Sequence, residues 1–454
     1  MDFLDHPENV MTELDYKRKI PPSWAVAPIV FLIAMTCLEA DGRTAEKSET
    51  RRPNIILLMA DDYGMTGVGC YGGDFKTPHL DEMAKTGVRF ENCFSAPLCA
   101  PSRAMVMTGR FNFRTGSTGN SARAVTPQTE TSLAKTLKNA GYATAVAGKW
   151  SQLTHLSTVE EAKAWGFDEF MVWDHTGERN WKPALNRNGE PVDVTDKSYG
   201  PDILNDYVLD FAARNKDRPF FVYYPLTLIH SPLAPTPDGA SGNGQLTDNI
   251  AYMDKIVGRL LAGLDKLGLR ENTLVVFTGD NGTGLGGKID GKLIDGNKGS
   301  LREGGSRVPL IANWKGTTPQ GKVPADLVEL TDVYATFAEL AGAELPSGVT
   351  MDSISFAPQL KGEPGTPRKW VFVQLREDWY ARNDRWKLYR DGKLFDMKDA
   401  PFQEIPVPDD TDDAGAKAAK VELQAVLEEL KPSANKTGDS KDRGIKKERK
   451  EKAE

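Results

Sequence analysis

The stretch Asn54-Ile-Ile-Leu-Leu-Met-Ala60 is a short, almost wholly apolar run that ends at the acidic pair Asp61-Asp62. An apolar run of this length is typical of a strand that is buried on both faces of a parallel sheet. Four further apolar runs of this kind span residues 142–147, 219–224, 273–278 and 308–312. They alternate with stretches of helical pattern such as 132–140 and 248–267. The alternation predicts an α/β fold, with a large, mixed and mostly parallel sheet between two layers of helices.

Polar side chains follow four of these runs, and the third run continues through five residues before it reaches its histidine. They are Asp61-Asp62, Lys149, His230 and Asp280-Asn281. Because ligands of open α/β sheets bind outside the carboxyl ends of the strands, we expect these side chains at one edge of the sheet. The carboxylate and amide oxygens suit a hard divalent cation, and calcium is favoured over zinc. Taken singly, each acidic group could equally belong to a turn or a helix cap.

A second informative segment is Ser95-Ala-Pro-Leu-Cys-Ala-Pro-Ser-Arg-Ala-Met-Val-Met-Thr-Gly109. Pro101 suits the first turn of a helix, and Gly109 is a typical helix end. Cys99 is therefore predicted at a helix N-terminus, where the dipole and the nearby Arg103 favour an anion. Such a cysteine is a candidate reactive group, and the alternative is a buried structural thiol.

The pattern Cys99-x-Pro-Ser-Arg103, with Thr108-Gly-Arg110 after an apolar run, resembles the type I sulfatases of the alkaline phosphatase-like superfamily. In that family a maturation enzyme converts the cysteine to formylglycine (3-oxoalanine), and the hydrated aldehyde is the nucleophile. The resemblance extends over about residues 52–404 and includes the first strand and segment 277–282. It implies one bound Ca²⁺ with the ligands Asp61, Asp62, Cys99, Asp280 and Asn281.

The basic residues also resemble the family. Gly148-Lys149-Trp150, the segment from Lys298 to Pro309 and the segment that ends at His230 all match family strings. Hydrolysis of a sulfate ester needs its charge neutralised and its leaving alkoxide protonated or stabilised. The resemblance implies that the cation and the side chains of Arg103, Lys149 and Lys298 hold the sulfate. It also implies that His230 assists the leaving group. The implied catalytic set is Cys99, Arg103, Lys149, His230 and Lys298.

One position departs from the family. A histidine usually follows Gly-Lys-Trp and is assigned to the nucleophilic side of the reaction, but this chain has Ser151. A serine has no pKa near neutrality and cannot replace it as a base. Gln152 and His155 are possible replacements.

The segment 172–189 is polar and aromatic and contains Asp174, His175 and Arg179. Such a loop suits the hydroxyls and ring faces of a carbohydrate. An ordinary surface loop is an equally good interpretation, so we leave these residues out of the predicted site.

The resemblance implies an exported sulfatase, similar to arylsulfatases, that acts on a sulfated small molecule or oligosaccharide. A phosphomonoester or phosphonate hydrolase of the same superfamily is the alternative enzyme. A non-catalytic binder of sulfated glycans is a third reading, and Ser151 is its only support. The net charge of −7 argues against nucleic acid as a partner.

The chain is expected to have four parts. Residues 1–50 form a leader, because the basic segment 17–19 precedes an apolar run over 24–38 that is too short for a stable membrane span. This predicts export to the periplasm or the outside, with a lipid anchor on Cys37 as the less favoured alternative. Residues 51–343 form the catalytic domain, 344–432 a small α+β subdomain with antiparallel strands, and 433–454 a disordered charged tail. Export leaves Cys70 and Cys93 as a possible disulfide or as two separate thiols.

Overall fold

The computed structural model describes residues 52–120, 125–150, 153, 156–175, 177–239 and 245–433. The predicted leader with Cys37 and nearly all of the predicted tail lie outside these residues. Positions 151, 152 and 155 also lie outside them. Among the helices of the described residues, none has the length and apolar character needed to cross a membrane.

Most strands belong to one ten-stranded sheet, five form a small antiparallel sheet, and two form a separate hairpin. In chain order the strands are β1 Asn54–Ala60, β2 Val88–Phe94, β3 Ala143–Gly148, β4 Glu169–Trp173, β5 Leu185–Arg187, β6 Glu190–Pro191, β7 Phe220–Pro225, β8 Thr273–Gly279, β9 Lys288–Ile289, β10 Lys292–Leu293, β11 Arg307–Trp314, β12 Leu327–Glu329, β13 Val371–Leu375, β14 Asp378–Arg382, β15 Trp386–Tyr389, β16 Leu394–Asp396 and β17 Ile405–Pro406.

The α-helices lie mostly between these strands, as the predicted alternation requires. In chain order they are α1 Pro78–Lys85, α2 Cys99–Thr108, α3 Asn112–Thr115, α4 Leu133–Asn139, α5 Val159–Trp165, α6 Gly200–Arg214, α7 Leu246–Lys266, α8 Glu303–Ser306, α9 Asp332–Ala341, α10 Ala357–Leu360 and α11 Ala414–Leu430.

The large sheet has the order β12-β2-β11-β8-β1-β7-β3-β4-β5-β6. Strands β8, β1, β7, β3 and β4 run parallel to one another in its centre. The predicted strand at 308–312 was expected to be parallel, but β11 is antiparallel to both of its neighbours. The reason is the connection: between β8 and β11 the chain forms only a hairpin and the short helix α8, without the long crossover that a parallel return needs.

Helices cover both faces of this sheet, as expected. Along β1, Ile55, Leu57 and Met59 belong to a core shared with α2, α4 and α9. The alternate residues Ile56 and Leu58 belong to a second core shared with α1, α6 and α7. Because successive strand side chains point to opposite faces, an uninterrupted apolar run is what a central strand of a three-layer fold requires.

The small sheet follows in the chain, with the order β13-β14-β15-β16-β17, and α11 packs against it. The antiparallel strands and the helix that were predicted for this part of the chain are therefore present. Gly392 has a φ of 84° in the turn between β15 and β16, where a side chain would be strained. Cys70 and Cys93 are both free thiols, so the possible disulfide between them is absent.

Candidate active site

The four strands that were predicted to deliver polar side chains are neighbours in the sheet. They lie in the order β8-β1-β7-β3 and are parallel, so their carboxyl ends meet at one edge. Asp61 and Asp62 follow β1, Lys149 follows β3, and Asp280 follows β8. The predicted clustering is confirmed, and it results from the parallel topology.

Cys99 is the first residue of α2, and its side chain is almost fully buried. Pro101 lies in the first turn, and Gly109 ends the helix with a φ of 66°, as the sequence predicted. The Cys99 Sγ atom lies 3.5 Å from Oδ1 of Asp61 and 3.5 Å from Oδ1 of Asp62. The helix end therefore meets the end of β1.

The electrostatic surroundings of Cys99 differ from the electropositive setting that was expected. Burial raises the pKa of its thiol well above the ordinary value, and the carboxylates of Asp280 and Asp61 raise it further, against the effect of Lys149. The unmodified thiol is thus held in its neutral form. A low-pKa cysteine nucleophile is not what this site provides.

Two lysines pair with the acidic residues around Cys99. Lys149 Nζ lies 2.5 Å from Asp61 Oδ2, and both side chains are buried. Lys298 Nζ lies 2.5 Å from Asp62 Oδ1 and 3.3 Å from Cys99 Sγ. Burial would raise the pKa of Asp61, but Lys149 and Arg103 together lower it well below its usual range. The sulfur atom therefore has two carboxylates and the Lys298 ammonium as neighbours, and the Lys149 ammonium pairs with one of these carboxylates.

Arg103 is fully buried and makes ion pairs that the sequence could not indicate. Its Nε and Nη2 atoms lie 3.0 Å and 2.8 Å from Asp280 Oδ2, and Nη1 donates to the Lys149 carbonyl at 2.9 Å. The remaining Asp280 oxygen accepts from the backbone N–H of Asp62 at 3.0 Å. Arg103 thus connects Asp280, which follows β8, with Lys149, which follows β3.

Asn281 has one satisfied and one unsatisfied end. Its Nδ2 atom donates to Asp62 Oδ1 at 2.9 Å, while its buried Oδ1 atom has no hydrogen-bond partner among the described residues. A buried amide oxygen without a partner is costly and needs an explanation such as an ion. The ligand atoms of Asp61, Asp62, Cys99 and His230 all lie within 4.8 Å of one another. The oxygen-rich donor set fits a hard divalent cation.

His230 lies at the more open side of this cluster. Its Nε2 atom is 3.7 Å from Asp62 Oδ2, and its side chain is 32% exposed. Burial lowers its pKa, Asp61 partly opposes this, and Lys149 lowers it further. The residue is therefore mainly neutral near pH 7, with a ring that substrate can reach.

The loop 172–189, which was left out of the predicted site, contributes one residue that contacts it and a second whose pKa responds to its charges. Arg179 is buried and holds His230: Nη1 lies 3.3 Å from Nδ1, and Nη2 donates to the His230 and Pro232 carbonyls. His175 follows β4 and lies within the electrostatic range of Lys149 and Arg103. The only sequence signal for either was its position in an aromatic and polar loop.

Comparisons with known proteins agree with this geometry. The family model described as Sulfatase matches residues 53–343. The chain is 33% identical to the N-acetylgalactosamine-6-sulfatase of Canis lupus familiaris, over 75% of this chain and 74% of that protein. It is also 33% identical to the Arylsulfatase A of Homo sapiens, over 75% of each.

The chain belongs to the sulfatase family. It is a sulfuric ester hydrolase with an alkaline phosphatase-like fold, as the sequence resemblance implied. Among solved structures, the sulfatase resembles Ps i-CgsB in complex with k-i-k-neocarrahexaose, with a TM-score of 0.72, 27% identity and coverage of 84% of this chain and 93% of that one. It also resembles the PsFucS1 sulfatase from Pseudoalteromonas sp., with a TM-score of 0.70, 26% identity and coverage of 86% and 92%.

Proposed function

We propose that this sulfatase hydrolyses sulfate esters of a carbohydrate, either a small sugar or an oligosaccharide, with a formylglycine made from Cys99 and a bound Ca²⁺. A relative that shares a third of its residues is named for a sulfated amino sugar, and a similar solved structure holds a neocarrahexaose. Both support a carbohydrate substrate. A formylglycine-generating enzyme would be the partner that matures the protein.

The observation that carries this proposal is the position of the Cys99 sulfur. It lies 3.5 Å from a carboxylate oxygen of both Asp61 and Asp62 and 3.3 Å from the Lys298 ammonium. Conversion would replace this sulfur with oxygen, and the hydrated aldehyde would then present a hydroxyl where two acidic side chains converge. A buried structural cysteine would have no need of three charged neighbours.

The cation would be held by oxygen atoms that the structure already brings together. Asp61, Asp62 and the unpartnered Asn281 oxygen supply donors, and Asp280 and the modified residue 99 would complete the set. When bound, Ca²⁺ would neutralise charge on the sulfate and favour ionisation of the nucleophilic hydroxyl. Burial and the neighbouring carboxylates raise the pKa of Asp280, against the effect of Arg103. A bound cation would favour the ionised form of this carboxyl group and so offset the repulsion from its neighbours.

The charges of the site support an anionic substrate. Without a cation, the carboxylates are matched one for one by the basic groups around them: Asp61, Asp62 and Asp280 against Arg103, Lys149 and Lys298. A divalent cation would leave an excess of two positive charges. A sulfate monoester carries one negative charge and would be attracted to this excess.

We assign the basic side chains different tasks. Lys149 and Lys298, released from the aspartates by the cation, would hold sulfate oxygens. Arg103 has its donors on Asp280 and on the Lys149 carbonyl, so we propose that it positions these two groups rather than contacting sulfate directly. His230 would assist the leaving alcohol, because its ring lies at the open side.

We also propose that the protein is exported to the periplasm or the outside through the leader in residues 1–50. The support is the basic and then apolar pattern of that segment. Comparison of the N-terminal mass of the mature protein with that of the gene product would test it. An intact leader on protein recovered from the cytoplasm alone would contradict it.

The test of the function combines mass and activity. The full chain is produced with a formylglycine-generating enzyme, and the fragment that carries residue 99 is weighed. Converted protein is expected to release sulfate from 6-sulfated amino sugars and sulfated galactose oligosaccharides, and to lose this activity with EDTA. Cys99→Ala is the matched control and should fold but stay inactive. A strong preference for the corresponding phosphate esters, or full activity in Cys99→Ala, would overturn the proposal.

A further inference from the structure

His175 lies just after β4, the strand that is the neighbour of β3 in the large sheet. The two strands are parallel neighbours, and Gly148 pairs with Val172 in their register. Three residues after Gly148 the sequence has Ser151, and three residues after Val172 it has His175. In the sequence, the segment after β3 thus has a serine where the family usually has a histidine, and the segment after β4 has a histidine at the same distance from the paired residues.

The ring of His175 is placed like a functional group rather than a surface residue. It packs against Trp173 with a centroid distance of 3.7 Å, and its Nε2 atom is buried without a hydrogen-bond partner among the described residues. The backbone of His175 has a φ of 64°, which is uncommon for a residue other than glycine. An unpaired buried nitrogen and an unusual backbone together need an explanation.

The charged groups that act on His175 are those of the active site. They are Lys149, Asp174, Arg103 and Asp61. Burial lowers the pKa of His175 to about 4, Lys149 adds to this, and Asp174 opposes it. The imidazole is therefore neutral near pH 7 and can take up a proton.

A hydrated aldehyde at position 99 needs such an acceptor. Its carbon carries two hydroxyls: one bonds to sulfur, and the other must lose its proton when the carbonyl forms again. The present Sγ position is already surrounded by Asp61, Asp62 and Lys298. Lys298 is a protonated donor there, so the second hydroxyl needs a group from another side of the site.

We propose that His175 is the catalytic base of the sulfate-release step, an inference that rests on the proposed formylglycine mechanism. The O–H bond of the free hydroxyl breaks and its proton moves to His175 Nε2. The bonding electrons form the C=O of the aldehyde, and the bond between this carbon and the sulfate oxygen breaks, so that inorganic sulfate leaves with that electron pair. No oxidant or further reactant is needed.

The test uses the full, converted chain and three histidine variants. His175→Asn keeps a small polar side chain that tolerates a positive φ but cannot act as a base at neutral pH. His155→Asn tests the histidine that the sequence offered as a replacement, and the exposed His79, which lies on α1, gives the matched control His79→Asn. Each protein is mixed with excess 4-nitrophenyl sulfate and quenched with acid, and the fragment with residue 99 is weighed.

His175→Asn is expected to release one equivalent of nitrophenol per site rapidly and then to slow by about a hundredfold or more, with the sulfo group retained on residue 99. Added imidazole should restore turnover. Retention in His155→Asn instead, or slow turnover of His175→Asn without a retained sulfo group, would overturn the inference. If converted wild type releases neither nitrophenol nor sulfate, the proposed function itself fails, which is a different result. Circular dichroism and thermal unfolding check that His175→Asn is folded.

Discussion

The ammonium of Lys149 lies 2.5 Å from Oδ2 of Asp61, and neither side chain is more than 3% exposed. This pair joins the end of β3 to the end of β1, two strands that are separated by β7 in the sheet. A buried ion pair of this kind is costly to break, because removal of one partner leaves the other charge unpaired. Its strength in the protein without a cation should therefore be measurable.

Lys149→Gln is expected to lower the free energy of unfolding by about 3 kcal/mol in EDTA, since Asp61 would remain buried with only the longer ion pair to Arg103, at 3.5 Å. With saturating Ca²⁺ the loss should be smaller, because the cation would pair with the same carboxylate. Urea unfolding in both buffers measures the difference. The exposed lysine of the Lys315–Asp265 pair provides the control Lys315→Gln, which should change stability by at most about 0.5 kcal/mol in either buffer.

The unpartnered oxygen of Asn281 makes a prediction about cation binding. Asn281→Ala is expected to weaken Ca²⁺ binding about tenfold or more, because it removes a donor that has no other partner among the described residues. Calorimetric titration of EDTA-treated protein is the measurement. Asn139→Ala, at an exposed position at the end of α4, is the control. An unchanged affinity in Asn281→Ala would place the cation elsewhere.

Much of this site could be predicted from short segments alone. The strand ends, the helix that begins at Cys99 and the lysine at position 298 all belong to local strings whose chemistry is visible in the sequence. Asp61 and Asp62 follow the clearest strand of the chain. Parallel topology then brings these strings together, and the sequence pattern indicates that topology.

The partners of these groups could not be predicted in the same way. Arg103 looked like a sulfate-binding residue, but its guanidinium pairs with Asp280, which is 177 residues away in the chain. The strand β2 was missed because half-buried positions interrupt its buried ones, and β4 because its buried run is only three residues long. Without β4, the sequence could not indicate that the segment with His175 follows a strand next to β3.

The pKa of His175 predicts how stability depends on pH. Its folded value of about 4 lies below the ordinary value of 6.5, so the unfolded chain binds more protons between these limits. The free energy of unfolding should therefore fall as the pH falls from 6.5 to 4. The ring is partly exposed, so the contribution of this residue is at most about 2 kcal/mol. Urea unfolding across this range should show a smaller slope for His175→Asn than for wild type, and an equal slope would contradict the assignment.

Glu404 connects the small sheet to the segment that carries Lys298. Its carboxylate lies 2.6 Å from Lys387 Nζ and 2.8 Å from Arg302 Nη1, and Lys387 also donates to the Leu301 carbonyl at 2.7 Å. Glu404→Gln is expected to cost about 3 kcal/mol of stability, because Lys387 is fully buried.

The same variant should lower kcat, since the segment that holds Lys298 loses part of its support. Unfolding curves and steady-state kinetics test both effects. Asp378→Asn, in the exposed pair with Arg390, should leave stability and kcat unchanged. A Glu404→Gln protein with wild-type stability would show that Glu404 does not support this segment.

The contacts of Glu404 also bear on how the enzyme could be shortened or recombined. The part that matches the family model ends at residue 343, yet Leu301 and Arg302, which follow Lys298 closely in the chain, are contacted by the side chains of Lys387 and Glu404. A truncated version that stopped near 343 would keep every proposed ligand and sulfate-binding lysine, and would still lose the contacts that support the segment after Lys298. Exchange of this carboxyl-terminal region between relatives would then change the turnover rate, although no group that contacts the substrate is altered.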